Sequence, residues 1–390
     1  MKQNESLARE QRGWFEAIHR HPELGNEEFE TAALVRQVLT AHGIRLLPCA
    51  LPTGVVCEIG HGDGPVIGLR ADMDALPIQE ETDLPYRSEV PGCMHACGHD
   101  FHTAALMAAA ILLHEAEDTL PGRVRLFFQP AEEITDGALQ MIRTGLTDPA
   151  ELMLSLHTYP FLEPGTVGIR EGAVMAAVDQ FKVTVTGRGA HAASPHLGLD
   201  PIPVLAEITL ALQTLVSRRS DPFDQVLLSV THLEAGNTWN VIPERGELEG
   251  TLRTLVPESR AATRERFHRV CRGISEAHGC ACEITWMAGP PALYNDVRLC
   301  ERAKAVAEGL GLRVERQPCS MGGEDFSEYL DAPRKRPGIF IRIGTGGPYA
   351  SHHPRFTAAP EALFPASVLM AELAKSLLNN PLTGGANDAD

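Results

Sequence analysis

The chain has 390 residues, 44% hydrophobic and 22% charged, which is long for one core and predicts two globular domains. No stretch approaches the roughly 20 consecutive apolar residues that span a bilayer, and a formal charge of -17 sets the surface against nucleic acid and anionic membranes as partners. Nine cysteines without small-domain spacing do not read as a secreted disulfide framework, and residues 1–12 carry no apolar leader segment, so the expected location is cytoplasmic, with Cys57, Cys271 and Cys300 as inert core thiols.

Over residues 6–43 the apolar positions recur at helical spacing, broken at His21-Pro22-Glu23-Leu24-Gly25. This predicts two helices and a turn, the second helix starting near Glu28 and carrying Phe29, Ala33, Val35 and Leu39 toward a core. Apolar runs at 54–59, 66–69, 124–128 and 152–156, separated by helical stretches such as 103–115, predict an α/β sheet with helices on its faces. From about residue 178 the pattern changes. A half-buried strand at 179–186, a helix at 202–218, strands at 225–233 and 246–255, a helix at 257–278 and a strand at 282–287 give the β-α-β-β-α-β order of a ferredoxin-like α+β unit. This block, residues 179–292, is expected to be a domain inserted between 1–178 and 293–390. The α/β pattern then resumes with a helix near 299–309, strands near Arg313 and at 339–343, and an amphipathic helix at 360–378; the tail from Asn379 is expected to be disordered.

Chemistry concentrates at strand ends. Met94-His95-Ala96-Cys97-Gly98-His99-Asp100-Phe101-His102 packs three imidazoles, a thiol and a carboxylate ahead of a helix. Cys97 and His99, two apart in a loop, can grip one cation, and imidazole with thiolate favours zinc-like borderline metals. Asp72 and Asp74 follow an apolar run and read either as ligands or as the carboxylates that hold a ligand imidazole. Glu132 and Glu133 follow another run; adjacent side chains point apart, so Glu132 is assigned as general base and Glu133 as ligand. His157 and the pair His352-His353 supply further imidazoles. Together these groups suit two divalent ions about 3.5–4 Å apart and hydrolysis of an amide by an activated water.

The motifs Arg70 to Pro77, His95 to His102, Gln129 to Glu133, Gly189-Ala190-His191-Ala192, Asn240-Val241-Ile242-Pro243 and Gly322-Gly323-Glu324-Asp325-Phe326 occur in this order along nearly the whole chain. In them the chain resembles the N-acyl-L-amino-acid amidohydrolases, which include hippurate and auxin-conjugate hydrolases and are relatives of the aminoacylases and zinc carboxypeptidases. The resemblance implies a zinc-peptidase-like α/β catalytic domain and an inserted lid domain that often mediates dimerisation, so a homodimer or higher homo-oligomer is expected. It implies two divalent ions, zinc foremost, with manganese, cobalt or nickel as alternatives. By motif it makes Cys97 the bridging ligand, adds His99, Glu133, His157 and His352 (chosen over His353), keeps Glu132 as base and gives His191 the role of oxyanion stabiliser. Asn240 and Arg253 become candidates for holding the substrate carboxylate, and Gly323 for close backbone approach.

The implied activity is release of a carboxylic acid and a free amino acid from an N-acyl amino acid. A dipeptidase or carboxypeptidase of the same superfamily is the nearest alternative. A non-catalytic metal-dependent binding protein is the alternative of another class, and Glu132 argues against it because a binder has no use for a base.

Overall fold

In the computed structural model, which describes residues 2–331 and 335–382, the chain opens with helices α1 (Lys2–Arg20) and α2 (Phe29–Ala41). Strands β1 (Leu46–Leu47), β2 (Val55–Ile59) and β3 (Val66–Asp72) lead into α3 (His99–His114), followed by β4 (Arg123–Gln129), α4 (Gly137–Arg143), β5 (Leu152–Tyr159) and β6 (Thr166–Ile169). The middle of the chain holds β7 (Gly172–Met175), β8 (Ala177–Thr186), β9 (Ala190–His191), α5 (Pro201–Arg219), β10 (Val226–Ala235), β11 (Val241–Ile242), β12 (Arg245–Thr254), α6 (Pro257–Ala277) and β13 (Ala281–Ala288). It closes with β14 (Leu293–Asn295), α7 (Val297–Gly309), β15 (Arg313–Arg316), α8 (Phe326–Asp331), β16 (Gly338–Gly344) and α9 (Leu363–Asn379).

These elements form two compact units. One comprises Met1–Gly172, Tyr294–Pro318 and Asp325–Asp390; the other comprises Ala173–Leu293 and Cys319–Glu324. The first is built on an eight-stranded sheet in the order β1-β2-β4-β3-β5-β16-β6-β15, parallel from β4 through β16. Every residue of β3 and of β16 is buried, as expected of strands covered on both faces. Helices α1, α3 and α9 pack on one another and bury Phe15, Phe101, Leu106, Leu369 and Leu373. Because β3 has β4 on one side and β5 on the other, the connections around it run in opposite directions. Such a switch leaves a crevice outside the carboxyl ends of the strands, where open α/β sheets bind ligands.

The second unit carries the antiparallel sheet β10-β12-β8-β13 with α5 and α6, in the strand-helix-strand-strand-helix-strand order of a ferredoxin-like unit. Buried and half-exposed residues alternate along β12, so one face is covered. Phe181, Leu248 and Leu252 from the sheet meet Val204, Leu212 and Phe267 from the helices. At the start of α5 the Asp200 side chain accepts from the Ile202 N–H and Pro201 occupies the first turn, so sequence chemistry sets that boundary.

Several expectations need correction. The buried face of α2 is Thr31, Ala32, Val35, Val38 and Leu39, whereas Phe29 is 56% exposed and Ala33 is also exposed. At about 100° per residue, Ala33 and Phe29 lie off the stripe defined by Val35 and Leu39. Helix α9 continues through Asn379 and Leu382 packs against the core, so 379–382 are ordered by apolar contact; residues 383–390 lie outside the described residues. Ala173–Val178 and Cys319–Glu324 group with the second unit, zipped by Ser320 N–H to Val174 C=O (2.8 Å) and Ala176 N–H to Gly322 C=O (2.9 Å). All nine cysteines are free. No helix among the described residues is long and apolar enough to cross a membrane.

Candidate metal centre

Four segments of the first unit converge at the crevice. Asp72 ends β3 with Asp74 just beyond it, Glu132 and Glu133 follow β4, His157 lies near the end of β5, and Cys97 precedes α3, whose first residue is His99. Between Cys97 and His99, Gly98 adopts a left-handed conformation (φ +89°), and a Cβ there would sit 2.5 Å from Thr158 Oγ1. Only glycine fits, and that turn places the thiol and the imidazole on one side of the loop. His352, also left-handed at φ +68°, is held by its N–H donating to the Ala96 carbonyl at 2.7 Å.

Two donor sets result. Ligand atoms of Cys97, His99 and His157 lie within 4.8 Å of one another, and so do those of Cys97, Glu133 and His352; Cys97 belongs to both. His157 Nε2 is 3.5 Å from the thiol, and its Nδ1 donates to the Thr158 carbonyl at 2.8 Å, which leaves the Nε2 lone pair for a metal. His99 Nδ1 bonds Asp74 Oδ1 at 3.2 Å, and the other Asp74 oxygen accepts the Glu133 N–H at 2.9 Å. One carboxylate thus orients a residue from each set. His99 Nε2 and Glu133 Oε1 are buried without a hydrogen-bond partner, the arrangement a cation would satisfy. His352 Nε2 lies 3.4 Å from Glu133 Oε1. His353 is otherwise engaged: its Nδ1 accepts the Arg355 N–H at 3.0 Å and its ring stacks on Tyr349 at 4.2 Å. Thiolate, imidazole and carboxylate donors fit a divalent borderline metal.

His102 has a structural task that its sequence neighbourhood did not reveal. Its Nε2 accepts the Thr158 N–H at 2.8 Å, so Nδ1 carries the proton and donates to Asp72 Oδ1 at 2.6 Å. With both nitrogens occupied it is not a ligand. Asp72 in turn meets the fully buried Arg70 at 2.6 Å; Arg70 also reaches Asp325 (2.6 Å) and Gln129 Oε1 (2.9 Å), while Asp325 accepts the Ala138 N–H (2.9 Å). Arg70, Gln129 and Asp325 stood in the quoted motifs without an assigned role; only the fold joins positions 255 residues apart.

Electrostatics follow this wiring. Burial would raise the Asp72 carboxyl, but the Arg70 charge with His99 and His102 holds it well below the usual range. Burial, with His102 alongside, lowers His157 and keeps its ring neutral. Burial, reinforced by the Glu133 charge, pushes the Cys97 thiol up. The neighbouring Glu133 carboxylate raises His352.

The remaining candidates lie in the second unit. His191 is exposed on β9, opposite Val241 of β11, and its Nδ1 accepts the Ala193 N–H at 3.0 Å; the Asn240 carbonyl accepts the Ala192 N–H at 3.0 Å, so these two residues are neighbours. Arg253 sits opposite Val178 and Leu227, with its guanidinium on Thr251. Arg253 and Arg245, which faces Thr186 where the chain leaves for His191, are about 26 Å apart along β12 at about 3.3 Å per residue. A Cβ on Gly323 would come 2.3 Å from Val178 Cγ2, so close packing favours glycine there.

The chain is 46% identical over 364 residues to N-acetyl-L-cysteine deacetylase of Bacillus subtilis, covering 93% of this chain and 87% of that protein. It is 37% identical over 373 residues to an IAA-amino acid hydrolase of Arabidopsis thaliana, covering 93% and 85%. The crystal structure of the Bacillus subtilis YXEP protein, a dinuclear metal-binding peptidase of the M20 family, superposes with a TM-score of 0.87 at 40% identity, covering 96% of this chain and 99% of that one. Residues 68–376 match the sequence pattern of peptidase family M20/M25/M40, and with these relatives the chain belongs to that family.

Proposed function

We propose that the protein is a metal-dependent amidohydrolase that hydrolyses N-acyl amino acids to a carboxylic acid and a free amino acid. The observation that carries this reading is the shared thiol: Cys97 belongs to two donor sets, and the buried carboxylate of Glu132 lies within 4.8 Å of His99 and Glu133. The deacetylase and IAA-amino acid hydrolase relatives support amide substrates of this kind. Two divalent ions would be held by Cys97, His99 and His157 and by Cys97, Glu133 and His352. Bound there, they would lower the pKa of water and polarise the scissile carbonyl. Glu132 takes the proton from that water and returns it to the departing nitrogen. Asp74 and Asp72 hold the imidazoles in their working tautomers.

His191 donates to the developing oxyanion, Asn240 and Arg253 hold the substrate carboxylate, and Gly323 lines the approach. Arg253 stands at one end of β12, whereas His191 and Asn240 belong to the separate β9–β11 pair beyond the Arg245 end, so one substrate is not expected to reach both sets within a chain. A second copy supplying one of the two sets would reconcile them. β10 is an edge of its sheet with Leu227 and Leu233 exposed, which suits pairing between copies.

The test is incubation with N-acetyl, N-benzoyl and long-chain N-acyl amino acids and dipeptides, with and without chelator, followed by mass spectrometry of the released amino acids. Chelator-sensitive release from one acyl class is expected. Release from dipeptides alone would move the assignment to a dipeptidase, and no release after zinc, manganese or cobalt is restored would overturn catalysis.

A further inference from the structure

The turn His21-Pro22-Glu23-Leu24-Gly25 first reads only as a helix breaker, yet it touches both acidic segments of the metal centre. The Ala75 N–H donates to the Glu23 carbonyl at 2.8 Å, and Leu24 pairs with Ala75 as an isolated parallel bridge, next to Asp74. On its other side the turn meets Ala131: a Cβ on Gly25 would come 3.2 Å from Ala131 Cα. The closing residue is Glu28. Its Oε1 accepts the Asn26 N–H at 3.0 Å and the Ala131 N–H at 2.8 Å, and the side chain is fully buried. Asn26 and Ala131 both have left-handed backbones, at φ +68° and +56°.

Ala131 immediately precedes Glu132 and Glu133. A left-handed alanine is intrinsically unfavourable and persists only where the surroundings over-determine it. The geometry points to Glu28 as a positioning residue, whose single oxygen pins Ala131 in this conformation and so sets the directions in which Glu132 and Glu133 leave the strand. The inference rests on the proposed roles of those two glutamates.

The test uses Glu28→Ala, Glu28→Gln and Ala131→Gly in the full-length protein, with two readouts: cobalt(II) titration followed by its thiolate and ligand-field absorption, and kcat and KM on the best substrate found. Glu28→Ala removes the acceptor. It is expected to weaken cobalt binding about tenfold or more and to lower kcat with little change in KM, because the metal ligand and the base move while distal substrate contacts stay. Glu28→Gln keeps an acceptor oxygen and is expected to stay within about threefold of wild type. Glycine adopts the left-handed conformation freely, so adding Ala131→Gly to Glu28→Ala is expected to recover about tenfold of the loss.

A Glu28→Ala protein with an unaltered cobalt spectrum and unaltered kcat, and only a lower melting temperature, would reduce Glu28 to a fold-stabilising residue and overturn the inference. So would a Glu28→Gln variant as impaired as Glu28→Ala with no recovery from Ala131→Gly. Should wild type turn over no amide, the amidohydrolase reading fails, while the cobalt titration still judges whether Glu28 sets the donor geometry.

Discussion

Cys97 Sγ lies 3.5 Å from His157 Nε2, a thiol and an imidazole lone pair facing each other across the ends of two segments 60 residues apart. Since burial holds Cys97 protonated and only the thiolate ligates, metal uptake must expel a proton. Apparent affinity is therefore expected to climb with pH, up to about tenfold per unit for each proton released. Cys97→Ala should lose both ions rather than one, read by metal content after dialysis; retention of one full equivalent would show that the thiol serves a single site.

Glu132 and Glu133 are adjacent and are expected to separate cleanly by substitution. Glu132→Gln should keep its metal and lose about 10²–10⁴ in turnover. Asp74→Ala, which frees His99 Nδ1 and the Glu133 N–H at once, should instead weaken metal binding by about 10–100-fold. Metal competition against a chromophoric chelator distinguishes the two, and equal losses of metal in both variants would contradict the division of roles.

Arg70 joins two buried carboxylates, Asp72 and Asp325, at 2.6 Å each. Arg70→Met leaves both charges uncompensated, and a loss of about 3–5 kcal/mol is expected because breaking a buried ion pair strands its partners. Arg70→Lys should fall between the two, since an ammonium cannot reproduce the planar fork. Urea midpoints would measure this, and a shift below about 1 kcal/mol for Arg70→Met would argue against the hub.

His19 lies in the α1–α3 interface, with Nδ1 2.6 Å from Asp100 and Nε2 3.3 Å from Glu80. Burial opposes its charge, but the hydrogen bonds to Asp100 and Glu80 outweigh it and raise the imidazole from 6.5 to about 9. A group raised on folding contributes stability that is complete below its unfolded value and fades as pH climbs through its folded one. Stability from this pair should therefore be full below pH 6.5 and decline up to about 9. Replacing His19 with Gln should flatten that decline in urea unfolding at pH values across this window, and an unchanged slope would refute it.

Much of this was legible in the chain itself. The all-buried strands β3 and β16 announce themselves as largely apolar runs despite Arg70 and Arg342, the strand-helix order of the second unit is plain, and the thiol-imidazole-carboxylate clusters stand where runs end. What escaped was whatever depends on distance in sequence or on short elements. α4 has seven residues and β6 four, too few for a period to show. The far partners of Arg70 and His19 lie 255 and 81 positions away, and the buried stripe of α2 leaves out Phe29 and Ala33 despite their apolar character.

The donors also differ in when they are made. A ribosome that has completed residue 157 has already synthesised Cys97, His99, Glu133 and His157, whereas His352 follows only after the whole second unit and the strand β16 that pairs with β5. Synthesis runs at about 5–20 residues per second, so roughly ten to forty seconds separate the first complete donor set from the second. A nascent chain thus carries every residue of one candidate donor set long before it carries every residue of the other.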